Sequence, residues 1–269
     1  SEYIAIYAEM PSMADMSHFA RTGSSAFDIY VKCGAKYVYH DTFMPTLGDH
    51  YEAISRFKVP GMKDVMLHFP TYSDVKNLYI GVAEGSRIEH SAPYRYLKPV
   101  VYYGSSITQG ACASRPGNAY EAIISNDLDC DFINLGFSGS ALAEEAINDY
   151  INSLDMSVFV MDYDHNAPNP EHLERTHEAF FKKIRASHPD LPVIMISRPT
   201  FEEGYGGPDG ALHFSPGRGG HGTAHSHWGG VIARNRASAG FGLVVCHAAM
   251  ISSTSPSPMR GTNTRLSAL

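Results

Sequence analysis

From residue 99 onward the chain repeats one unit: a short apolar run, a polar or Gly-containing loop, and then a stretch with helical spacing. The runs are "PVVYY" (99–103), "DFINL" (131–135), "VFVMDY" (158–163) and "PVIMIS" (192–197), and between them lie "AYEAIISNDL", "ALAEEAINDYINSL" and "EHLERTHEAFFKKIRASH". Strands alternating with helices imply a parallel sheet covered on both faces. In the third helical stretch Leu173, His177, Phe180, Phe181 and Ile184 fall at helical spacing, with Asn169 as a good N-cap and Pro170 suited to the first turn. In such sheets ligands bind outside the carboxyl ends of the strands, so the loops after the apolar runs are where function is expected.

The first part of the chain follows a different rhythm. "YIAIYA", "AFDIYVK", "AKYVYH", "VMLHFP" and "NLYIGV" are short, rich in Val, Ile, Tyr and Phe, and separated by turn residues; the period-two placement of Phe27, Ile29 and Val31 reads as antiparallel strands. This part is expected to form a small antiparallel β-sandwich. "SAPYRYLKP" (91–99), with two prolines and little periodicity, reads as a linker. The expected organisation is a β-sandwich domain over 1–95, an α/β domain over 96–205 and an atypical tail over 206–269.

Composition narrows the partners. The 269 residues include 43% hydrophobic and 11% aromatic side chains, enough for an ordinary core, and the formal net charge is -7. No basic run offers a footprint for nucleic acid or a membrane surface, so a small-molecule substrate is expected, with no nucleic acid and no membrane as partner. No apolar stretch approaches the roughly 18 residues of a membrane span, and "SEYIAIYAEMPSMADM" lacks the basic start and apolar core of a signal peptide; a cytoplasmic location is the expectation. Cys33, Cys112, Cys130 and Cys246 are scattered with no C-x-x-C pair, which suits reduced, partly buried thiols. We expect no cofactor and no metal centre.

Three loops after the apolar runs bring groups suited to one reaction. In "GSSITQG" (104–110) Ser106 follows a strand where a helix begins, so backbone N–H groups and a favourable field surround a candidate nucleophile. In "NLGFSGSA" (134–141) Gly136 and Gly139 let the backbone approach a ligand so that an N–H can point at an oxyanion. In "DYDHNAPNP" (162–170) the Asn166 amide can donate to the same oxyanion, and His165 between Asp164 and Asn166 reads as a hydrogen-bonded structural histidine. Taken singly, a Gly- and Ser-rich loop after a strand is most often only a turn.

Taken in order, Gly104-Ser105-Ser106-Ile107-Thr108, Asn134-Leu135-Gly136-Phe137-Ser138-Gly139 and Asp164-His165-Asn166 resemble the SGNH hydrolase superfamily of GDSL-type esterases and lipases, in the branch with an N-terminal β-sandwich. The first block looks like a Gly-Asp-Ser-Leu motif with Ser105 in place of the Asp and Ile107 in place of the Leu. The resemblance spans about residues 1–200 and implies a flavodoxin-like α/β sheet. It implies Ser106 as nucleophile and backbone donor, Gly139 as a second backbone donor and Asn166 as the side-chain donor. The implied activity is that of a serine esterase acting on small acyl esters, including those on carbohydrates, through an acyl-enzyme, with acyl transfer to an alcohol chemically adjacent.

The family's base is a histidine in an Asp-x-x-His motif near the C-terminus, and nothing in 198–269 matches it. In "DGALH" Asp209 and His213 are one residue too far apart, and His247 follows the apolar run "GLVV", at an expected strand end, with no later acid. The general base and its Asp are therefore unknown. From Gly210 to Leu269 there is no Asp, Glu or Lys but ten Gly, eight Ser, eight Ala, five His and five Arg. We read the tail from about residue 203 as an out-of-frame or otherwise altered version of the family's last helix, strand and motif loop. His221, His225 and His227 in "HGTAHSHW" have the imidazoles to chelate zinc, copper or nickel, but on a Gly-rich segment without carboxylate or cysteine neighbours a surface loop is expected. Two other functional classes follow from the missing base: a non-catalytic binding protein that keeps the oxyanion site, or a sandwich module that binds a glycan or a partner chain.

Overall fold

The computed structural model describes residues 1–197 and, beyond them, two strands at 245–247 and 264–268. The first part holds β1 (Tyr3–Glu9), α1 (Arg21–Ser24), β2 (Phe27–Cys33), β3 (Lys36–Phe43), β4 (His50–Arg56), β5 (Lys63–His68), β6 (Asn77–Val82) and β7 (Ile88–Glu89). The second holds β8 (Tyr96–Gly104), α2 (Ser106–Gln109), α3 (Tyr120–Leu128), β9 (Cys130–Gly136), α4 (Glu145–Asn152), β10 (Val158–Asp162), α5 (Pro170–Ser187) and β11 (Val193–Ser197). Last come β12 (Val245–His247) and β13 (Thr264–Ala268). Among the described residues no helix is long and apolar enough to cross a membrane.

The N-terminal part is the expected pair of antiparallel sheets, ordered β4-β1-β6 and β3-β2-β5-β13-β7. Alternation drives the packing: Ile4, Ile6 and Ala8 of β1 turn inward onto Phe27 and Ile29 of β2 and Val65 and Leu67 of β5, all buried. β4 escapes a reading by hydrophobic pattern because its alternation is mixed, with Tyr51 and Ala53 facing the core beside a polar residue. Its inward residues include Ser55, whose hydroxyl donates to Asp41 at 2.7 Å, while Ile54 faces solvent. β13 lies in a segment with no strand signal of its own and pairs with β5 from Thr264↔Leu67 to Ala268↔Lys63.

The second part is one parallel sheet in the order β12-β11-β10-β8-β9. Among the described side chains, β8 from Val100 onward and β10 are covered on both faces, as their continuous apolar character requires. Val101, Tyr103, Phe159 and Met161 turn to the side of α4 and α5, against Ile151, Leu173, Phe180, Phe181 and Ile184. Val100, Tyr102, Phe132 and Val160 turn to the other side, where Ala122 of α3 meets them. Each such large side chain contributes about 1.5–3 kcal/mol by leaving water. Asn169 caps α5 as its sequence implies, accepting from the His172 N–H at 2.8 Å, and the five residues at helical spacing are all buried. β8 starts at Tyr96, inside the stretch that reads as a linker, and its register shifts between Tyr96 and Val100, which passes Pro99 and its missing N–H.

The two parts are joined by buried polar contacts. Asp28, fully buried on β2, accepts from the Gly117 N–H at 2.9 Å and the Thr42 hydroxyl at 2.8 Å, with Arg115 Nε at 3.6 Å. The Arg115 guanidinium lies 4.1 Å from the centre of the Tyr39 ring, a cation–π contact. Burial pushes the Asp28 carboxyl up to about 6 against the lowering effect of these donors. Asn126 of α3 adds a two-way bridge to the Tyr37 backbone at 3.0 and 2.8 Å.

Candidate active site

The site is built where three strands of the parallel sheet end together. Gly104 of β8 is paired with Gly136 of β9 on one side and Asp162 of β10 on the other. α2 starts at once after β8 and sits directly on this edge. A side chain at Gly136 would put its Cβ 2.5 Å from the Gln109 Cα and 2.6 Å from the Thr108 carbonyl carbon, so only glycine leaves room for the turn. Gly104 is needed for the same reason: a Cβ there would fall 2.5 Å from the Asp162 carbonyl oxygen.

Ser105 caps α2, its hydroxyl accepting from the Ile107 N–H at 3.2 Å, and its own N–H donates to the Asp162 carbonyl at 3.2 Å. Ser105 thus holds the turn, and Ser106, half-buried at the first helical position, presents its hydroxyl beside an amide that no intrahelical carbonyl uses. Thr108 completes the seat by donating to Asp162 at 3.1 Å, and Asn134 bridges the Thr108 carbonyl (2.6 Å) and the Gly136 N–H (2.8 Å).

The second and third loops meet at one atom. The Phe137 carbonyl accepts from the Ser140 and Ala141 N–H groups at 3.0 and 3.2 Å and from Asn166 Nδ2 at 2.8 Å. Gly139 lies within that turn at φ +68°, a left-handed conformation that other residues adopt at a cost of roughly 1–2 kcal/mol. It is exposed, and its N–H is not among the donors used within the described fold. Asn166 gives one amide hydrogen to Phe137, and among the described residues the other has no acceptor, so its orientation is fixed while a donor remains for a ligand. Ser106, Gly139 and Asn166 are therefore brought to the same sheet edge and tied into one hydrogen-bonded frame.

Beneath α2 the sheet edge is acidic. Asp162, 4% exposed, is raised to about 7, first by burial and then by the neighbouring Asp164, against the donors Thr108 and Tyr120. Burial also pushes Glu121 of α3 well above the ordinary carboxylate range. Among the described residues Asp162, Asp164 and His165 form a group whose ligand atoms lie within 4.8 Å of one another. The charge of Asp164 beside it adds to the cost of ionising Asp162. The raised carboxyl gives a signed prediction. The folded chain keeps the Asp162 proton up to about pH 7 while the unfolded chain loses it near 3.8, so stability falls as pH rises through that window. Asp162→Asn, which retains an acceptor for Thr108, is expected to stabilise the fold by about 2–4 kcal/mol at about pH 8 and not at about pH 4, read by thermal unfolding at both.

Several residues at the site carry no signal in the sequence. Gln109, 3% exposed, donates to the Thr71 carbonyl at 3.2 Å and accepts from the Ser138 N–H at 2.9 Å, and Tyr72 donates to the Ser106 carbonyl at 3.3 Å. Gln109 stands inside the quoted block, but its partners come from other elements and no local pattern announces them. His247 ends β12, paired with Ser197 on β11, at the strand end its apolar run suggests. Among the described residues no histidine is hydrogen-bonded to the Ser106 hydroxyl. Asp209, His213, His221, His225 and His227 lie outside the described residues. Of the cysteines expected as partly buried thiols, Cys130 is a buried thiol outside any disulfide, whereas the Cys33 and Cys112 thiols are exposed, on a strand end and a surface turn.

Residues 97–211 match the GDSL-like lipase/acylhydrolase family, and residues 1–88 match the N-terminus of SGNH hydrolase-type esterases, named for a GxDLY motif. Over residues 97–211 the chain thus carries a domain of the GDSL-like lipase/acylhydrolase (SGNH) family, preceded by that N-terminal domain. Ala26-Phe27-Asp28-Ile29-Tyr30 resembles the motif, which makes the buried Asp28 its acidic residue. A candidate GDSL-like lipase from Bacteroides ovatus ATCC 8483 is similar at 26% identity and a TM-score of 0.78, over 93% of this chain and 71% of that one. A family two carbohydrate esterase from Clostridium thermocellum, solved with cellohexaose, shares the fold at 12% identity and a TM-score of 0.56, over 92% of this chain and 80% of that one. The salicylyl-acyltransferase SsfX3 from a tetracycline biosynthetic pathway does so at 15% identity and a TM-score of 0.58, over 92% of this chain and 68% of that one. No curated protein sequence matches the chain.

Proposed function

We propose that this chain is a serine esterase that cleaves small acyl esters through an acyl-enzyme, with acylated carbohydrates as the substrates to test first. The observation that carries the reading is the shared frame at the sheet edge, in which the Phe137 carbonyl ties the Gly139 turn to Asn166 beside the start of α2. Ser106 Oγ attacks the ester carbonyl, its proton passing to a histidine. The ester carbonyl oxygen becomes an oxyanion held by the Ser106 and Gly139 N–H groups and the free Asn166 amide hydrogen. Collapse of the tetrahedral intermediate expels the alcohol and leaves an ester on Ser106, which water then cleaves. The base is unassigned: 198–269 holds five histidines and no Asp-x-x-His, and of these His247 has its backbone at the end of β12, paired with Ser197.

The fold is shared with carbohydrate esterases and with an acyltransferase, so acetylated sugars and alcohol acceptors belong in the same assay. The test is hydrolysis of p-nitrophenyl acetate and of acetylated oligosaccharides by the whole chain and by Ser106→Ala. A fall of about 10³-fold or more in kcat/KM for the variant supports the esterase. The competing reading, a binding protein that keeps the oxyanion frame, rests on the missing Asp-x-x-His motif. It is favoured if wild type and Ser106→Ala are equally inert yet bind the sugar equally.

A further inference from the structure

Two hydrogen-bonded paths lead from the N-terminal β-sandwich into the frame described above. The first runs through Gln109. Its Oε1 accepts from the Ser138 N–H at 2.9 Å and its Nε2 donates to the Thr71 carbonyl at 3.2 Å, so both ends of the amide are dictated by partners that can only donate or only accept. The peptide group between Phe137 and Ser138 is therefore held at both ends, its carbonyl by Ser140, Ala141 and Asn166 and its N–H by Gln109. The next peptide along carries the Gly139 N–H. The second path runs through Tyr72, whose hydroxyl donates to the Ser106 carbonyl at 3.3 Å. Burial pushes that phenol up to about 12, so it remains a donor at any working pH. Tyr72 is itself fixed, its N–H on the Ser24 carbonyl at 3.0 Å and its ring edge-on to Phe19 at 5.2 Å, and Thr71 is tied to the Gly23 carbonyl at 3.1 Å.

We infer that Gln109 and Tyr72 are positioning residues through which the Phe69–Ser73 segment of the N-terminal domain sets the aim of the Ser106 turn and of the Gly139 amide. The N-terminal domain then works as part of the machinery for acyl transfer. Its detachment would leave α2 and the 136–141 turn each short of a fixed partner. The inference rests on the esterase reading for its functional consequence, but the geometry can be tested without any turnover.

The test uses the whole chain with Gln109→Met, which keeps the volume and removes both hydrogen bonds, and Tyr72→Phe, which removes only the hydroxyl. Amide hydrogen exchange is followed segment by segment, alongside the rate of labelling by a fluorophosphonate probe. Gln109→Met is expected to speed exchange across 136–141 while leaving β1, β4 and β6 unchanged, and Tyr72→Phe to speed exchange across 105–111. Labelling is expected to slow by about 10–100-fold in Gln109→Met through its maximal rate, with little change in probe affinity. Unchanged exchange at 136–141, or labelling within about twofold of wild type, overturns the inference. If Gln109→Met does not fold, Tyr72→Phe alone decides: unchanged exchange over 105–111 refutes the role. If wild type is not labelled at all, the esterase reading fails, whereas the exchange result still judges the positioning.

Discussion

Gly136→Ala is expected to dismantle the site while sparing the N-terminal sheets. The added Cβ would fall 2.5 Å from the Gln109 Cα and inside contact distance of its amide nitrogen, and these are backbone atoms that cannot swing aside. α2 would have to lift from the sheet edge, breaking the Asn134–Thr108 and Gln109–Ser138 hydrogen bonds as it moves. Forced repacking of this kind costs about 1–3 kcal/mol, and two buried hydrogen bonds add about 1 kcal/mol each. Thermal unfolding should show a drop of roughly 6 °C or more, and esterase activity should be lost with it. A Gly136→Ala variant with wild-type stability and activity would mean that α2 is not seated as described.

Asn166→Ala is the second large effect, and it separates chemistry from folding. The side chain is half-buried and among the described residues makes one hydrogen bond, to the Phe137 carbonyl, which keeps the Ser140 and Ala141 N–H groups as partners after the substitution. The stability cost should therefore stay near about 1 kcal/mol. Loss of one oxyanion donor costs about 3 kcal/mol of transition-state stabilisation, or roughly 10²–10³-fold in kcat. Steady-state kinetics should show kcat falling by that factor with KM little changed. Equal losses for Asn166→Ala and for a surface control would remove Asn166 from the mechanism.

How much of this could be read from the chain depends on where the determining contacts lie. α5 was legible to within a residue, because the inward stripe of Leu173, His177, Phe180, Phe181 and Ile184 and a cap at Asn169 are local signals. The parallel sheet followed from alternation of strand and helix, and Ser106 from its place after β8. β4 was hidden because its inward Ser55 is satisfied by Asp41, a partner on another strand. Gln109, Tyr72 and Asp28 were hidden for the same reason: each is an ordinary polar residue until a distant segment supplies its partner. Asn166 was legible mainly through the family resemblance, since an Asn before a capped helix otherwise carries no particular signal. The family match ends at residue 211, two residues after Asp209, the last acidic side chain. That coincidence supports the proposal that the tail is altered, and resequencing the coding region for a frame that encodes Asp-x-x-His tests it.

The central claim is that Ser106 is an activated nucleophile facing an oxyanion frame, and the most direct measurement is the site of covalent capture. After incubation with a fluorophosphonate, intact-mass and peptide mapping of the whole chain should show one adduct, on Ser106, that is absent from Ser106→Ala and slowed in Asn166→Ala. An adduct on another residue, or none at any pH tested while the chain remains folded, would contradict the account.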